Sequence, residues 1–106
     1  MEWIRVFSSV EEAHQRLKEN IPQLVVIGEV SICLVKRQNN FFAVENKCSH
    51  NGESLNKGTV NFLGEVICPW HGYRFNLKTG KESGERSRDL VTYPIQQNEK
   101  GLFVLV

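Results

Sequence analysis

A chain of 106 residues is long enough for one modest hydrophobic core and too short for two independent ones. Its 13 basic and 12 acidic residues cancel to a net charge of +1, which gives neither nucleic acid nor an anionic membrane a reason to bind. Hydrophobic residues at 41% and charged residues at 24% are those of a soluble globular protein, and no stretch nears the ~20 apolar residues that span a bilayer.

The first seven residues, Met1 to Phe7, lack a basic region followed by an apolar one and read as neither signal peptide nor membrane anchor. Trp3, Ile4 and Val6 suggest a short first strand. Ser9 and Glu12 have the spacing of a capping box, and Val10, Ala13 and Leu17 recur at helical spacing until Pro22 stops the pattern. A short helix over about 9–19 is expected, with His14 as a surface histidine on it.

From there the chain reads as β. Gln23 to Ile27 is an apolar, β-branched run ended by Gly28. Ile32 to Lys36 follows, then an Asn39-Asn40 turn, then Phe41 to Val44. Near the end, Leu90 to Ile95 and Leu102 to Val106 flank a turn over Asn98 to Gly101, which predicts a hairpin. Val26, Leu34, Val44, Val91, Phe103 and Leu105 are the expected core of this β base, about 1–45 and 77–106. Cys33, inside an apolar run, reads as a small buried hydrophobe.

Residues 46–76 have a different texture. Glycines fall at 52, 58, 64 and 72, with short strands expected at Glu65 to Ile67 and from Phe75 into a turn ending at Gly80. The segment has few apolar residues, which predicts an insert ordered largely by whatever it binds. It also holds Cys48-Ser49-His50 and, after 17 intervening residues, Cys68-Pro69-Trp70-His71. Two of the three cysteines and two of the three histidines thus fall within 24 residues. Three readings compete: coincidence, a tetrahedral Cys2His2 zinc site, and a [2Fe–2S] centre with two thiolates on one iron and two imidazoles on the other. Zinc sites more often pair cysteine with cysteine and histidine with histidine along the chain, and no finger helix follows either pair. One Cys and one His per loop suits the two-iron centre. Three cysteines make no disulfide framework, and a reducing, cytoplasmic setting fits them.

The residues around the pairs sharpen this. Cys68-Pro69-Trp70-His71-Gly72-Tyr73-Arg74-Phe75 with Leu77-Lys78-Thr79-Gly80 resembles the second cluster loop of Rieske-type ferredoxins, and Cys48-Ser49-His50-Asn51-Gly52 with Leu55 resembles the first. The resemblance runs on to Leu90, Tyr93, Pro94 and Ile95. It implies a single all-β domain over 1–106, an antiparallel β-sandwich or barrel with a small cluster-binding insert and one short N-terminal helix. It implies one [2Fe–2S] cluster, with Cys48 and Cys68 on one iron and His50 and His71 on the other. Gly52 and Gly72 would let backbone N–H groups approach the sulfides, or serve as plain turn glycines. Trp70 reads equally as part of a docking patch or as core.

Two departures from the family's high-potential members bear on the potential. Those members carry a disulfide between the cluster loops, where this chain has Glu53 or a neighbour and Trp70. They also carry a serine and a tyrosine donating to sulfur, where it has Tyr73 and Phe75. Phe75 has no hydroxyl, and fewer donors disfavour the reduced cluster. A soluble, low-potential, one-electron carrier is implied, toward the negative end of the Rieske range at roughly −150 mV. It would run between a reductase and a terminal oxygenase. The alternative is a small accessory subunit of an NADH-dependent nitrite reductase. With His50 and His71 used as ligands, too few histidines remain for a mononuclear oxygenase iron, and no G-x-G-x-x-G loop is present, so catalysis and nicotinamide binding fall to protein partners.

Overall fold

The computed structural model describes all 106 residues. Ten strands form in order: β1 (Trp3–Phe7), β2 (Gln23–Ile27), β3 (Val30–Arg37), β4 (Asn40–Glu45), β5 (Thr59–Val60), β6 (Glu65–Ile67), β7 (Arg74–Asn76), β8 (Thr92–Tyr93), β9 (Ile95–Asn98) and β10 (Gly101–Leu105). One helix, α1 (Val10–Arg16), and a 3-10 turn at Leu55–Lys57 complete the elements. The strands make three sheets, ordered β1-β10-β9, β2-β3-β4-β8 and β5-β6-β7, and every strand pair is antiparallel. Strands take 42% of the chain and helix 9%, as the all-β expectation requires. The sheets stay open and layered; no barrel closes.

The second sheet sits in the middle because both of its faces are apolar. Successive strand residues point to opposite faces. On β3, Ile32 and Leu34 therefore join a core with Ala13, Leu17, Phe41, Ala43, Leu102 and Val104. Cys33 and Val35 face the other way, into a core with Val44, Cys48, Leu55, Val66, Cys68, Phe75, Leu77 and Leu90. This is why Ile32 to Val35 reads as an unbroken apolar run rather than an alternating one.

Several expected core positions are out of phase. Leu34 lies in the first core and Val44 in the second, but Val26 and Val91 are 59% and 50% exposed. On β2 the inward pair is Val25 and Ile27; on β10 it is Leu102 and Val104, leaving Phe103 and Leu105 half-buried on the other face. The strands fall where expected, and a one-residue phase error turns each set to the wrong side.

Ser9 caps α1, its hydroxyl accepting the Glu12 N–H at 3.0 Å. Glu12 reaches back to the Ser8 N–H at 2.9 Å, one residue wider than a standard capping box. The helix ends three residues earlier than expected because the chain turns extended at Leu17 to bridge Glu19 to Lys36 on β3. His14 is half-buried rather than on the surface, its ring 4.9 Å from that of Phe41. The β3–β4 turn is at Gln38 and Asn39, both with positive φ, as a two-residue hairpin matched to sheet twist needs. The 90–95 run does not form one strand. Pro94 has no N–H, and the run splits there: Thr92 and Tyr93 pair with β4, while β9 forms the expected hairpin with β10.

Candidate metal centre

The first Cys/His pair lies between β4 and the 3-10 turn, the second between β6 and β7. One bond closes both loops in the same way. The Cys48 N–H donates to the Glu53 carbonyl and the Cys68 N–H to the Tyr73 carbonyl, each at 2.8 Å and each five residues on. The cysteines thus sit at the loop bases and the histidines toward the tips. Cys48 and Cys68 are 1% exposed, inside the core shared with Cys33, Val66 and Phe75. His50 and His71 are exposed, with ring centroids 5.8 Å apart. The structure therefore brings all four residues to one end of the second core, sulfurs inward and imidazoles outward.

Polar side chains fasten the loops to each other. The Asn51 carbonyl oxygen accepts the Glu53 N–H at 2.9 Å and lies 3.8 Å from the Cys68 sulfur; its amide nitrogen donates to the Trp70 carbonyl at 3.4 Å. The Ser49 hydroxyl donates to the Arg88 carbonyl at 2.6 Å and meets the Ser87 hydroxyl at 2.5 Å. Asn46, buried at the junction with β4, exchanges two 2.7 Å bonds with Asn56. His71 holds φ +73, a conformation that costs a non-glycine residue about 1 kcal/mol and clusters at functional sites. Gly72 follows at φ +68 and Gly52 has φ +80, so both glycines are required by their turns; a Cβ on Gly72 would meet no protein atom.

Burial pushes the Cys68 thiol above its ordinary range, and the Cys48 thiol beside it pushes the same way. A metal held through Cys68 must displace a proton that burial favours keeping. Cys33 is pushed up to about 12 by burial alone, which makes it an inert core residue as expected.

Residues 82–88, a polar segment between β7 and β8, form a third wall. The Tyr73 ring stacks on His50 at 3.9 Å and 8°, and the Arg86 guanidinium lies 3.8 Å over Tyr73. Arg86 is held by Glu82, whose side chain is fully buried. Sequence reasoning missed Asn51, Ser49, Glu82 and Arg86. The one signal available was an acid and a base four apart in a stretch with no helical pattern. Trp70 is 56% exposed and meets His71 edge-on at 5.2 Å, which excludes the core reading.

No three His, Cys, Asp or Glu side chains converge as a single ion would need. Instead there are two buried thiols and two exposed imidazoles, the donor set of a two-iron centre divided between its irons. The residues present fit that group.

An open antiparallel β protein with a Cys/His pair on each of two facing loops is a Rieske-type iron–sulfur protein. The Rieske [2Fe-2S] domain model matches residues 6–94; the chain belongs to that family and carries one [2Fe–2S] cluster. It is 34% identical over 76 residues to a 3-phenylpropionate/cinnamic acid dioxygenase ferredoxin subunit of Photorhabdus laumondii, covering 71% of this chain and 72% of that one. It is 45% identical over 56 residues to apoptosis-inducing factor 3 of Mus musculus, a match to 53% of this chain but only 9% of that longer protein. The ferredoxin of carbazole 1,9a-dioxygenase from Nocardioides aromaticivorans IC177 has the same fold, with TM-score 0.83, 20% identity and 99% and 98% of the two chains covered. So does a Mycobacterium tuberculosis protein assigned as an NADH-dependent nitrite reductase small subunit, with TM-score 0.80, 18% identity and 97% and 93% covered. No helix is long and apolar enough to cross a membrane.

Proposed function

We propose that this chain is a one-electron carrier in which Cys48 and Cys68 hold one iron of the cluster and His50 and His71 the other. Residues 46–76 carry the cluster on a base formed by 1–45 and 77–106 within one domain. The observation that supports this best is the split burial of the ligand set: thiols 1% exposed, imidazoles at the surface. When bound, the cluster supplies one reversible electron at a potential raised by its imidazole ligands. The chain does the rest. The low-exposure floor keeps water from the thiolates, Asn51 holds the loops in register, and His50 and His71 present their rings to a partner. Trp70 and Pro69, exposed beside His71, give that partner an apolar surface.

The partner class follows from the dioxygenase ferredoxin subunit and carbazole dioxygenase ferredoxin that the chain resembles: a reductase on one side, a terminal oxygenase on the other. Phe75 is fully buried in the core that also holds the thiols and offers no hydroxyl, which supports the low potential, roughly −150 mV. Three free, buried cysteines suit the cytoplasm. The test is stopped-flow mixing of the dithionite-reduced protein with an oxidised aromatic-ring dioxygenase terminal component. One electron per chain should transfer at a rate that saturates with partner. A protein that fails to reduce any such component, yet co-purifies from its host with a large sirohaem protein, would place it as the nitrite reductase small subunit instead.

A further inference from the structure

Glu82 is unusual in this chain: an acid with 0% exposure, on a loop beside the metal centre. Its place is fixed by a bridge to Phe75 on β7 and by the Ser83 N–H donating to the Arg74 carbonyl at 2.8 Å. One carboxylate oxygen accepts the Arg86 backbone N–H at 2.7 Å and its Nε at 3.2 Å. The other accepts the Gly84 N–H at 2.6 Å and Arg86 Nη2 at 3.0 Å. Closing the loop needs only the two backbone bonds. The two bonds to the guanidinium do something else: they set the plane of a side chain that is itself 52% exposed and would otherwise be mobile.

That plane lies 3.8 Å over the Tyr73 ring, and Tyr73 lies 3.9 Å from His50 at 8°. With both neighbours at stacking distance, they must occupy opposite faces of the phenol. Tyr73 is also pinned at its backbone, where its carbonyl closes the second ligand loop on the Cys68 N–H. Its ring therefore lies on the first loop's histidine while its main chain belongs to the second.

We propose that Glu82, Arg86 and Tyr73 are positioning residues for the cluster: a buried acid orients a cation, the cation and phenol fix the His50 ring plane, and the fixed positive charge favours the reduced centre. This rests on His50 being an iron ligand. Stacking and cation–π contact supply the rigidity. The charge supplies the sign, since reduction adds an electron close to a cation that cannot deprotonate.

The test uses Arg86→Gln, whose amide can still donate to the buried Glu82 carboxylate, with Arg86→Lys, Glu82→Gln and Tyr73→Phe beside it. Midpoint potentials are read by voltammetry, and the His50 ring-proton shifts by NMR of the cluster-free protein. Arg86→Gln should lower the potential, by about three- to tenfold in the reduction equilibrium, at most about 59 mV for one electron. Arg86→Lys should recover part of that, Glu82→Gln should not lower the potential because it removes a nearby negative charge, and Tyr73→Phe should change nothing because the ring remains. In the cluster-free protein the upfield shift that Tyr73 imposes on His50 should shrink in Arg86→Gln and persist in Tyr73→Phe. An unchanged potential in Arg86→Gln overturns the proposal, as does a Tyr73→Phe shift of equal size, which would make the phenol hydroxyl the active group. A His50→Ala protein that keeps the two-iron spectrum would overturn the ligand assignment instead, and the cluster-free shifts separate the two failures.

Discussion

The two faces of the central sheet solve different problems with the same strands. The face toward α1 and β10 is closed by aliphatic and aromatic side chains alone, among them Ile32, Leu34, Leu102 and Val104, and is held together by regular strand ladders. The face toward the metal centre has an apolar floor of Val35, Leu55, Val66, Phe75 and Leu77, but it also contains all three cysteines and is roofed by loops tied through Asn46, Asn51 and Ser49. The difference bears on the expectation that 46–76 is ordered largely by its cluster, because Leu55, Val66 and Phe75 of the insert are buried in that floor. The insert has a floor of its own; only the roof lacks apolar contacts, so only the roof should need the metal.

The largest effects should come from breaking each core in turn. Leu34 and Phe75 are both 0% exposed, and truncation to alanine should cost about 2–5 and 3–5 kcal/mol. Leu34→Ala should lower amide protection through all three sheets. Phe75→Ala should strip protection from β5, β6 and β7 and leave the β2–β3–β4 ladder standing, as hydrogen exchange would show. Equal, global losses in both would mean that the two faces do not differ as described.

A milder cut is Cys48→Ser. Iron and colour should be lost, and amides 49–52 and 70–73 should exchange freely, while those of 65–67 and 74–76 stay protected. Loss of protection in β6 and β7 as well would restore the idea of an insert ordered mainly by its cluster.

Acid should loosen the roof before the floor. The Arg86 hydrogen bonds hold the Glu82 carboxyl from its ordinary 4.5 down to about 2. A depressed value means the stabilisation is complete above pH 4.5 and is lost as pH falls toward 2. Protection of the Gly84 and Arg86 amides, relative to their intrinsic exchange rates, should fall as pH drops through that window in the wild type and stay level in Glu82→Gln. The smallest effects should be at Val26 and Val91. Both are exposed, so threonine at either should change urea stability by within about 0.5 kcal/mol.

Much of this was legible in the sequence, for identifiable reasons. Metal-ligand chemistry shows in residue identity and local spacing, so Cys48, His50, Cys68 and His71 stand out without coordinates. Strand existence shows in β-branched runs, so β2, β3, β4 and β10 fall where expected. Strand phase does not, because Val25 and Val26, or Leu102 and Phe103, are equally apolar and only the packed partner decides which faces in. The Pro94 split follows from the missing N–H, although Leu90 to Ile95 reads as one continuous apolar run. Arg86 could not be read at all: it meets Tyr73 and through it His50, 36 positions earlier, and nothing local marks a long-range stack.

The central claim is that two sulfurs from the loop bases and two imidazoles from the loop tips share one two-iron centre. Pulsed EPR on the dithionite-reduced protein, labelled with 15N-histidine, tests it most directly. Two strongly coupled histidine nitrogens are expected in the wild type, with two irons and two sulfides per chain, and a reduced or absent set in His50→Ala and in His71→Ala. A signal with no histidine coupling, or a protein that takes up one zinc and no iron under anaerobic reconstitution, would contradict it.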